Sequence, residues 1–186
     1  GLPPYFPAAP VKGTVMDEQA PWAQQQVDLL APPGDDDLRH AMELLFFAYR
    51  DFTGEADAIL ADYDMGRAHH RAVYFIGANT GISVSELLAI LKITKQSLNR
   101  VLSTLIDEGY VVQETDDGDR RRRLMHLTPK GRDLEQLMTR RQTAHIARAY
   151  REAGPEAVEG FRRVLFGLIN EADRHRVAAS GAAARG

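Results

Sequence analysis

From Asp35 onward, apolar side chains recur at helical intervals. Leu38, Met42, Leu45, Tyr49 and Phe52 follow one another at alternating steps of four and three. Such a 3.5-residue repeat makes a narrow apolar seam suited to packing against another helix. Asp35, Asp36 and Asp37 place acids where a helix N-terminus favours negative charge. Gly54 weakens or ends this helix, or the helix continues through Ala56 to Leu60. A second helix is predicted from about Gly66 to Ala78, before the turn signal Asn79-Thr80-Gly81. Ser83-Val84-Ser85-Glu86 then has the form of a capping box, and Val84, Leu87, Leu88 and Leu91 form one apolar stripe. Thr94 caps the next helix, whose stripe is Leu98, Val101, Leu102 and Leu105. Two short amphipathic helices joined by a turn at Lys92 to Thr94 have helix-turn-helix spacing.

The pattern changes after Gly109, which takes the left-handed conformation that ends a helix. Tyr110 to Glu114 is β-branched and aromatic, Asp116 to Asp119 is turn chemistry, and Arg123 to Leu127 returns as a partner strand, predicting a hairpin. Thr128-Pro129 opens a long helix to about Arg151, which Gly154-Pro155 breaks. Val158, Phe161, Leu165, Leu168 and Ala172 resume a heptad-like stripe, and the alanine-rich end from Ala178 is expected to fray. Seven of the nine prolines fall in residues 1–34, which show no periodicity and are read as a tail. The expected parts are therefore a tail (1–34), an N-terminal helix (35–62), a helix-turn-helix lobe with its hairpin (63–127), C-terminal helices (128–177) and a frayed end (178–186).

Composition adds limits. With 186 residues and 44% apolar side chains the chain has enough material for a single core, and without cysteine it has no disulfide framework or thiol chemistry. That fits a reducing cytoplasm, the expected location. No apolar run is long enough to cross a membrane. Gly1 is not a translation start, Met16 is a candidate for one, and the segment lacks the basic and apolar regions of a secretory signal. The net charge of −3 conceals two unlike parts: 3 basic and 12 acidic residues over 1–66, a balance of −9, against 20 and 14 over 67–186, a balance of +6. A polyanion responds to the local field, so the positive part is suited to phosphate.

The helix capped by Thr94 exposes Lys95, Gln96, Ser97, Asn99 and Arg100 once its leucines are buried. Gln and Asn pair bidentately with adenine, Arg and Lys with guanine, and Ser bonds base or phosphate, so this face carries the vocabulary of major-groove readout; the competing reading is a solvated helix face. Arg120, Arg121, Arg122 and Arg123 follow a turn rich in Asp116, Asp117 and Asp119. A cationic tip of this size can track phosphates or enter a narrow minor groove, with Asp119 expected to pair with Arg121 and hold the hairpin in shape. The alternative is a salt-bridged surface turn.

These residues resemble the MarR family of winged helix-turn-helix regulators. The likeness rests on Ser-Val-Ser-Glu-Leu-Leu-Ala-Ile-Leu from Ser83, Thr-Lys-Gln-Ser-Leu-Asn-Arg-Val-Leu from Thr94, Gly-Tyr-Val-Val from Gly109, the Asp-x-Arg of Asp119 and Arg121, and the Leu-Thr-x-x-Gly of Leu127, Thr128 and Gly131. Tyr63 to Arg71, read Tyr-x-x-Gly-Arg-Ala-His-His-Arg, is similar to a PetP-like branch of that family. The resemblance implies a fold that is mainly α with a small β-hairpin wing: a winged helix-turn-helix with N- and C-terminal dimerisation helices. It also implies a homodimeric repressor or activator on pseudo-palindromic double-stranded DNA. The seams at Leu38 and Val158 agree, since each needs a surface to cover it, whether in a second copy or within the chain. A two-fold dimer would set two recognition helices roughly 34 Å apart, one turn of duplex.

The family further implies a small-molecule effector, an aromatic acid by the chemistry of Phe46, Phe47, Arg50, His69, His70 and Tyr74; alternatively Phe46 and Tyr74 are core and the histidines merely polar or DNA-proximal. Adjacent histidines project to different sides of a helix and chelate poorly, so neither metal nor haem, nor any other cofactor, is expected. No nucleophile elbow, metalloprotease motif, phosphate loop or dinucleotide fingerprint is present, and Asp62-Tyr63-Asp64 lacks the spacing of a calcium loop. An enzyme is not expected. The remaining competitor is a winged helix that contacts an acidic protein instead of DNA.

Overall fold

The computed structural model describes residues 32–183, so most of the expected tail lies outside the described residues, as do residues 184–186. Within them the order is α1 (Asp35–Ala61), α2 (Arg67–Ala78), β1 (Ile82–Ser83), α3 (Val84–Leu91), α4 (Lys95–Asp107), β2 (Val111–Thr115), β3 (Arg123–Leu127), α5 (Pro129–Ala153), α6 (Pro155–Leu168) and α7 (Glu171–Ala183). The chain divides into two units between Phe46 and Phe47, inside α1. Residues 32–46 of the first are described, and the second holds the buried core.

Gly54 does not interrupt α1. The side chains that α1 buries are Thr53, Ala56 and Leu60, in its C-terminal half, whereas Leu38, Met42, Leu45 and Tyr49 of the predicted seam are exposed. At the start of α2 the glycine cap offers no side chain, but His69 Nδ1 accepts the Gly66 N–H at 3.1 Å, satisfying one of the orphan groups of a helix start. Inside the second unit, Leu60, Val73, Ile76, Leu87, Leu98, Leu105, Val111, Met125 and Met138 are fully buried. They come from α1, α2, α3, α4, both long strands and α5, so one core positions the whole helix-turn-helix.

The capping box forms as its sequence requires. Ser83 Oγ accepts the Glu86 N–H at 3.3 Å, and Glu86 Oε2 accepts the Ser83 N–H at 2.9 Å and its hydroxyl at 2.5 Å. The same Ser83 ends a short strand that sequence reasoning missed. Ile82 pairs with Met125 and Ser83 with Leu124, giving a three-stranded antiparallel sheet in the order β1-β3-β2 instead of a lone hairpin. β2 and β3 pair from Val111↔Leu127 to Thr115↔Arg123. Gly109, at φ 75°, makes the turn out of α4.

Thr128 Oγ1 accepts the Gly131 N–H at 3.0 Å and caps α5. Gly131 packs so closely on the β2 root that a Cβ there would overlap the Tyr110 carbonyl oxygen and sit 3.0 Å from its carbon. Beyond the break at Gly154, the predicted single stripe through Ala172 divides: Ile169 is extended, at ψ 134°, and α7 starts afresh at Glu171. Arg174 donates to the carbonyls of Ile169 at 3.1 Å and Gly167 at 3.2 Å, covering the acceptors left at the end of α6. α7 continues to Ala183, past the point where fraying was expected. α6 buries none of its residues, and Phe161, Val164 and Leu168 stand exposed on it.

Candidate nucleic-acid interface

Leu98, Val101, Leu102 and Leu105 fasten α4 to the core and so turn its polar residues outward. Lys95, Gln96, Ser97, Asn99 and Arg100 are all exposed. Thr94 Oγ1 accepts the Ser97 N–H at 3.1 Å and donates to Ser97 Oγ at 2.8 Å, which fixes the first turn and leaves Ser97 its own hydroxyl proton to donate. Among the described residues the side chains of Lys95, Gln96, Asn99 and Arg100 have no hydrogen-bond or ion-pair partner, leaving their donors and acceptors available to a ligand.

The wing tip is set by carboxylates acting on backbone. Asp116 Oδ1 accepts the Gly118 N–H at 2.9 Å, and the Asp116 N–H reaches the Arg122 carbonyl at 3.2 Å. The pairing expected between the Asp119 and Arg121 side chains is not what forms: Asp119 Oδ1 accepts the backbone N–H of Arg121 at 3.0 Å, while its carbonyl accepts the N–H of Arg122 at 2.8 Å. A short Asx side chain folds more readily onto the backbone two residues on than onto a long mobile guanidinium. Asp119 therefore shapes the turn without neutralising a cation.

The four arginines divide. Arg120 and Arg121 are exposed and have no side-chain partner among the described residues. Arg122 turns back, its Nη1 3.5 Å from Asp116 and its Nη2 3.5 Å from Glu86, and Arg123 donates to Thr115 Oγ1. Arg122 thus ties the wing to the first turn of α3. The Ser83 hydroxyl and N–H, more than Arg122, hold the Glu86 carboxyl below its ordinary range. This tie joins residues far apart in sequence, and nothing local in the sequence announced it.

The expected effector residues are placed less uniformly. Phe46, Phe47 and Tyr74 are exposed, so Phe46 and Tyr74 are not core. Arg50 lies 4.8 Å from the Phe47 ring centroid and donates to Asp51 at 2.8 Å. Tyr74 stands edge-on to Phe75 with centroids 5.2 Å apart. His69 is half-buried and holds the helix cap, and His70 is buried; burial pushes both imidazoles below their ordinary range, with Asp57 and Glu135 opposing the shift at His70. A cavity of about 210 Å³ lies elsewhere, lined by Tyr63, Tyr110, Lys130, Asp133, Leu134 and Leu137. Among the described residues no group of His, Asp or Glu has the arrangement of a metal site.

Comparison with known proteins bears on this arrangement. A family model described as the MarR family matches residues 63–122. The HTH-type transcriptional regulator PetP of Rhodobacter capsulatus is 49% identical over 140 residues, which cover 75% of this chain and 84% of that protein. The chain belongs to the MarR family. Among solved structures, this MarR-family regulator is similar to Streptococcus pneumoniae FabT in complex with DNA, with a TM-score of 0.64 at 21% identity over 71% of this chain and 94% of that one. It is also similar to NadR in complex with 4-hydroxyphenylacetate, with a TM-score of 0.59 at 19% identity over 74% of this chain and 94% of that one. These likenesses carry the winged helix-turn-helix fold, and the pattern of residues 83–131 that implied it belongs to a DNA-binding transcriptional regulator. No described helix is long and apolar enough to cross a membrane.

Proposed function

We propose that this MarR-family regulator acts as a homodimer on pseudo-palindromic duplex DNA in the cytoplasm and has no catalytic role. Lys95, Gln96, Ser97, Asn99 and Arg100 meet base edges or adjacent phosphates, with Thr94 orienting the first turn of α4, and Arg120 and Arg121 enter the flanking minor groove. Arg122 acts through the wing's posture, since it already faces two carboxylates. The observation that carries this reading is that, among the described residues, Lys95, Gln96, Asn99 and Arg100 of α4 and Arg120 and Arg121 of the wing on the same lobe have no side-chain partner. A surface salt-bridge cluster, the competing reading, would have consumed those cations.

The homodimer is supported by apolar side chains that stand exposed among the described residues: Leu38, Met42 and Leu45 on α1, and Phe161, Val164 and Leu168 on α6. Exposed apolar residues in number on two helices call for a partner surface, and a two-fold symmetric copy supplies both. The test is binding to duplexes selected from a random pool. Arg121→Ala is expected to weaken specific and random duplex alike, whereas Asn99→Ala or Arg100→Ala relaxes preference at particular base pairs by about 1 to 3 kcal/mol. Equal losses on both duplexes for all three variants would contradict the roles assigned.

A small aromatic acid is the effector class this reading favours, with Phe47, Arg50, His69, His70 and Tyr74 as its residues. NadR, similar in fold, holds 4-hydroxyphenylacetate. A ligand of this kind acts only if it prefers one arrangement of the DNA-binding lobes over another. Release of DNA by 4-hydroxyphenylacetate, lost in Arg50→Ala, is the expected result; equal release from Arg50→Ala would remove Arg50 from the site.

A further inference from the structure

Lys92 stands in the helix-turn-helix turn, two residues before the cap of α4, with φ 51° and ψ 40°. This left-handed conformation is taken more readily by glycine or asparagine, so the geometry of the turn does not itself call for the long cationic side chain that stands there. Its ammonium does not point freely into solvent. Nζ donates to Asp173 Oδ2 at 2.5 Å, and Asp173 belongs to α7, 81 residues further along the chain. On the other side of the same carboxylate, Arg176 Nε lies 3.8 Å from Oδ1. Lys92, Arg176 and the nearby His175 hold the Asp173 carboxyl below its ordinary range, the hydrogen bond from Lys92 contributing most. Arg176 also acts on Glu86, the carboxylate that faces Arg122 of the wing.

Cations and carboxylates therefore alternate from the wing, through the first turn of α3 and across α7, to the turn before α4. The Lys92 ammonium sits at one end of this row, beside the helix that reads DNA.

We propose that Lys92 is a phosphate-binding residue held in reserve by Asp173, so that α7 sets how tightly the lobe grips duplex DNA. The proposal rests on the DNA-binding reading above. A half-exposed ion pair is a weak contact in water, and a DNA phosphate offers the ammonium the same charge with the added release of a condensed counterion. When the lobe docks, the Lys92 side chain leaves Asp173 for phosphate, and its exchange costs the interface one cation-carboxylate contact that an unmasked lysine would not lose. Movement of α7 toward or away from the turn changes that cost, giving the C-terminal helices a direct electrostatic hold on DNA affinity.

The experiment is fluorescence anisotropy with the full chain and a mixed-sequence duplex of about 30 base pairs, at salt from about 50 to 200 mM. Asp173→Asn is expected to bind about fivefold to tenfold more tightly at about 0.1 M salt with an unchanged log-log salt slope, because the bound lobe makes the same phosphate contact without first giving up the ion pair. Asp173→Glu restores the carboxylate and the parental affinity, and adding Lys92→Gln to Asp173→Asn abolishes the gain and makes the slope shallower by about 0.9 per protomer. Circular dichroism checks that each variant is folded. Superimposable curves for the parent and Asp173→Asn, or weaker binding with a shallower slope in Asp173→Asn, would overturn the proposal by showing that Asp173 braces the turn and masks nothing. Failure of the parent chain to bind any duplex would instead overturn the DNA-binding reading, and this inference with it.

Discussion

Replacing Gly131 by alanine is expected to destabilise the protein, against the direction that helix propensity dictates. Gly131 lies in the first turn of α5, where Gly→Ala ordinarily adds about 1 kcal/mol of stability. Here the added methyl overlaps the Tyr110 carbonyl oxygen and meets Leu127 Cβ at 3.4 Å. That carbonyl accepts the Thr128 N–H at 3.0 Å and its hydroxyl at 3.2 Å, so moving it aside strains both bonds that anchor α5 to the root of β2. Each is worth about 1 kcal/mol net, and forcing a methyl into a filled site costs about 1 to 3 kcal/mol more. After the propensity gain is subtracted, the loss is about 2 to 4 kcal/mol, or a fall of about 4 to 16 °C in Tm. Thermal and urea unfolding at fixed protein concentration measure it. Gly54→Ala is the contrast, because nothing lies within 4 Å of a Cβ there, and it is expected to gain about 1 kcal/mol. A Gly131→Ala protein as stable as its parent would refute the close approach of α5 to β2.

Ser83→Ala removes a helix cap and is expected to cost about 1 kcal/mol in urea unfolding. The Glu86 carboxyl is held below its ordinary value of 4.5, so its stabilisation is complete above that pH and is lost as pH falls through the lower folded value; Glu86→Gln removes this acid-side loss. His70 has the opposite origin but the same direction. Burial holds it below 6.5, the unfolded chain takes up a proton that the folded chain refuses, and stability declines as pH falls from 6.5 toward the folded value. Urea midpoints for His70→Gln should be flatter across that window than those of the parent. Val164→Glu with Leu168→Glu is expected to give monomers in sedimentation, since a carboxylate on the exposed face of α6 cannot be buried unpaired against a second copy.

Local chemistry made most of the DNA-binding lobe legible in the sequence. Ser83, Thr94 and Thr128 each cap the helix that they were expected to cap, because a cap satisfies backbone groups within three residues of itself. The leucines of α4 likewise fixed which side chains face outward. What stayed hidden depends on pairing across distance. Strand β1 is two residues long and exists only because Met125 and Leu124 lie alongside it. The break between α6 and α7 has neither proline nor glycine at Ile169-Asn170, so the apolar stripe ran on past it. Arg122 faces Glu86 and Lys92 faces Asp173 through folding alone, and counting four arginines at the wing could not separate the two that are engaged with carboxylates or hydroxyls from the two that are not.

Helix α5 is 25 residues in one piece, about 37 Å from end to end, and it is clamped at its start by Thr128 and Gly131 to the root of the wing. A rigid shaft of that length converts small angles into large displacements. A tilt of about 5° at one end carries the other through about 3 Å, close to the rise of one base pair. In the homodimer proposed above, so small a tilt would be enough to bring two reading heads into or out of phase with the turns of the duplex.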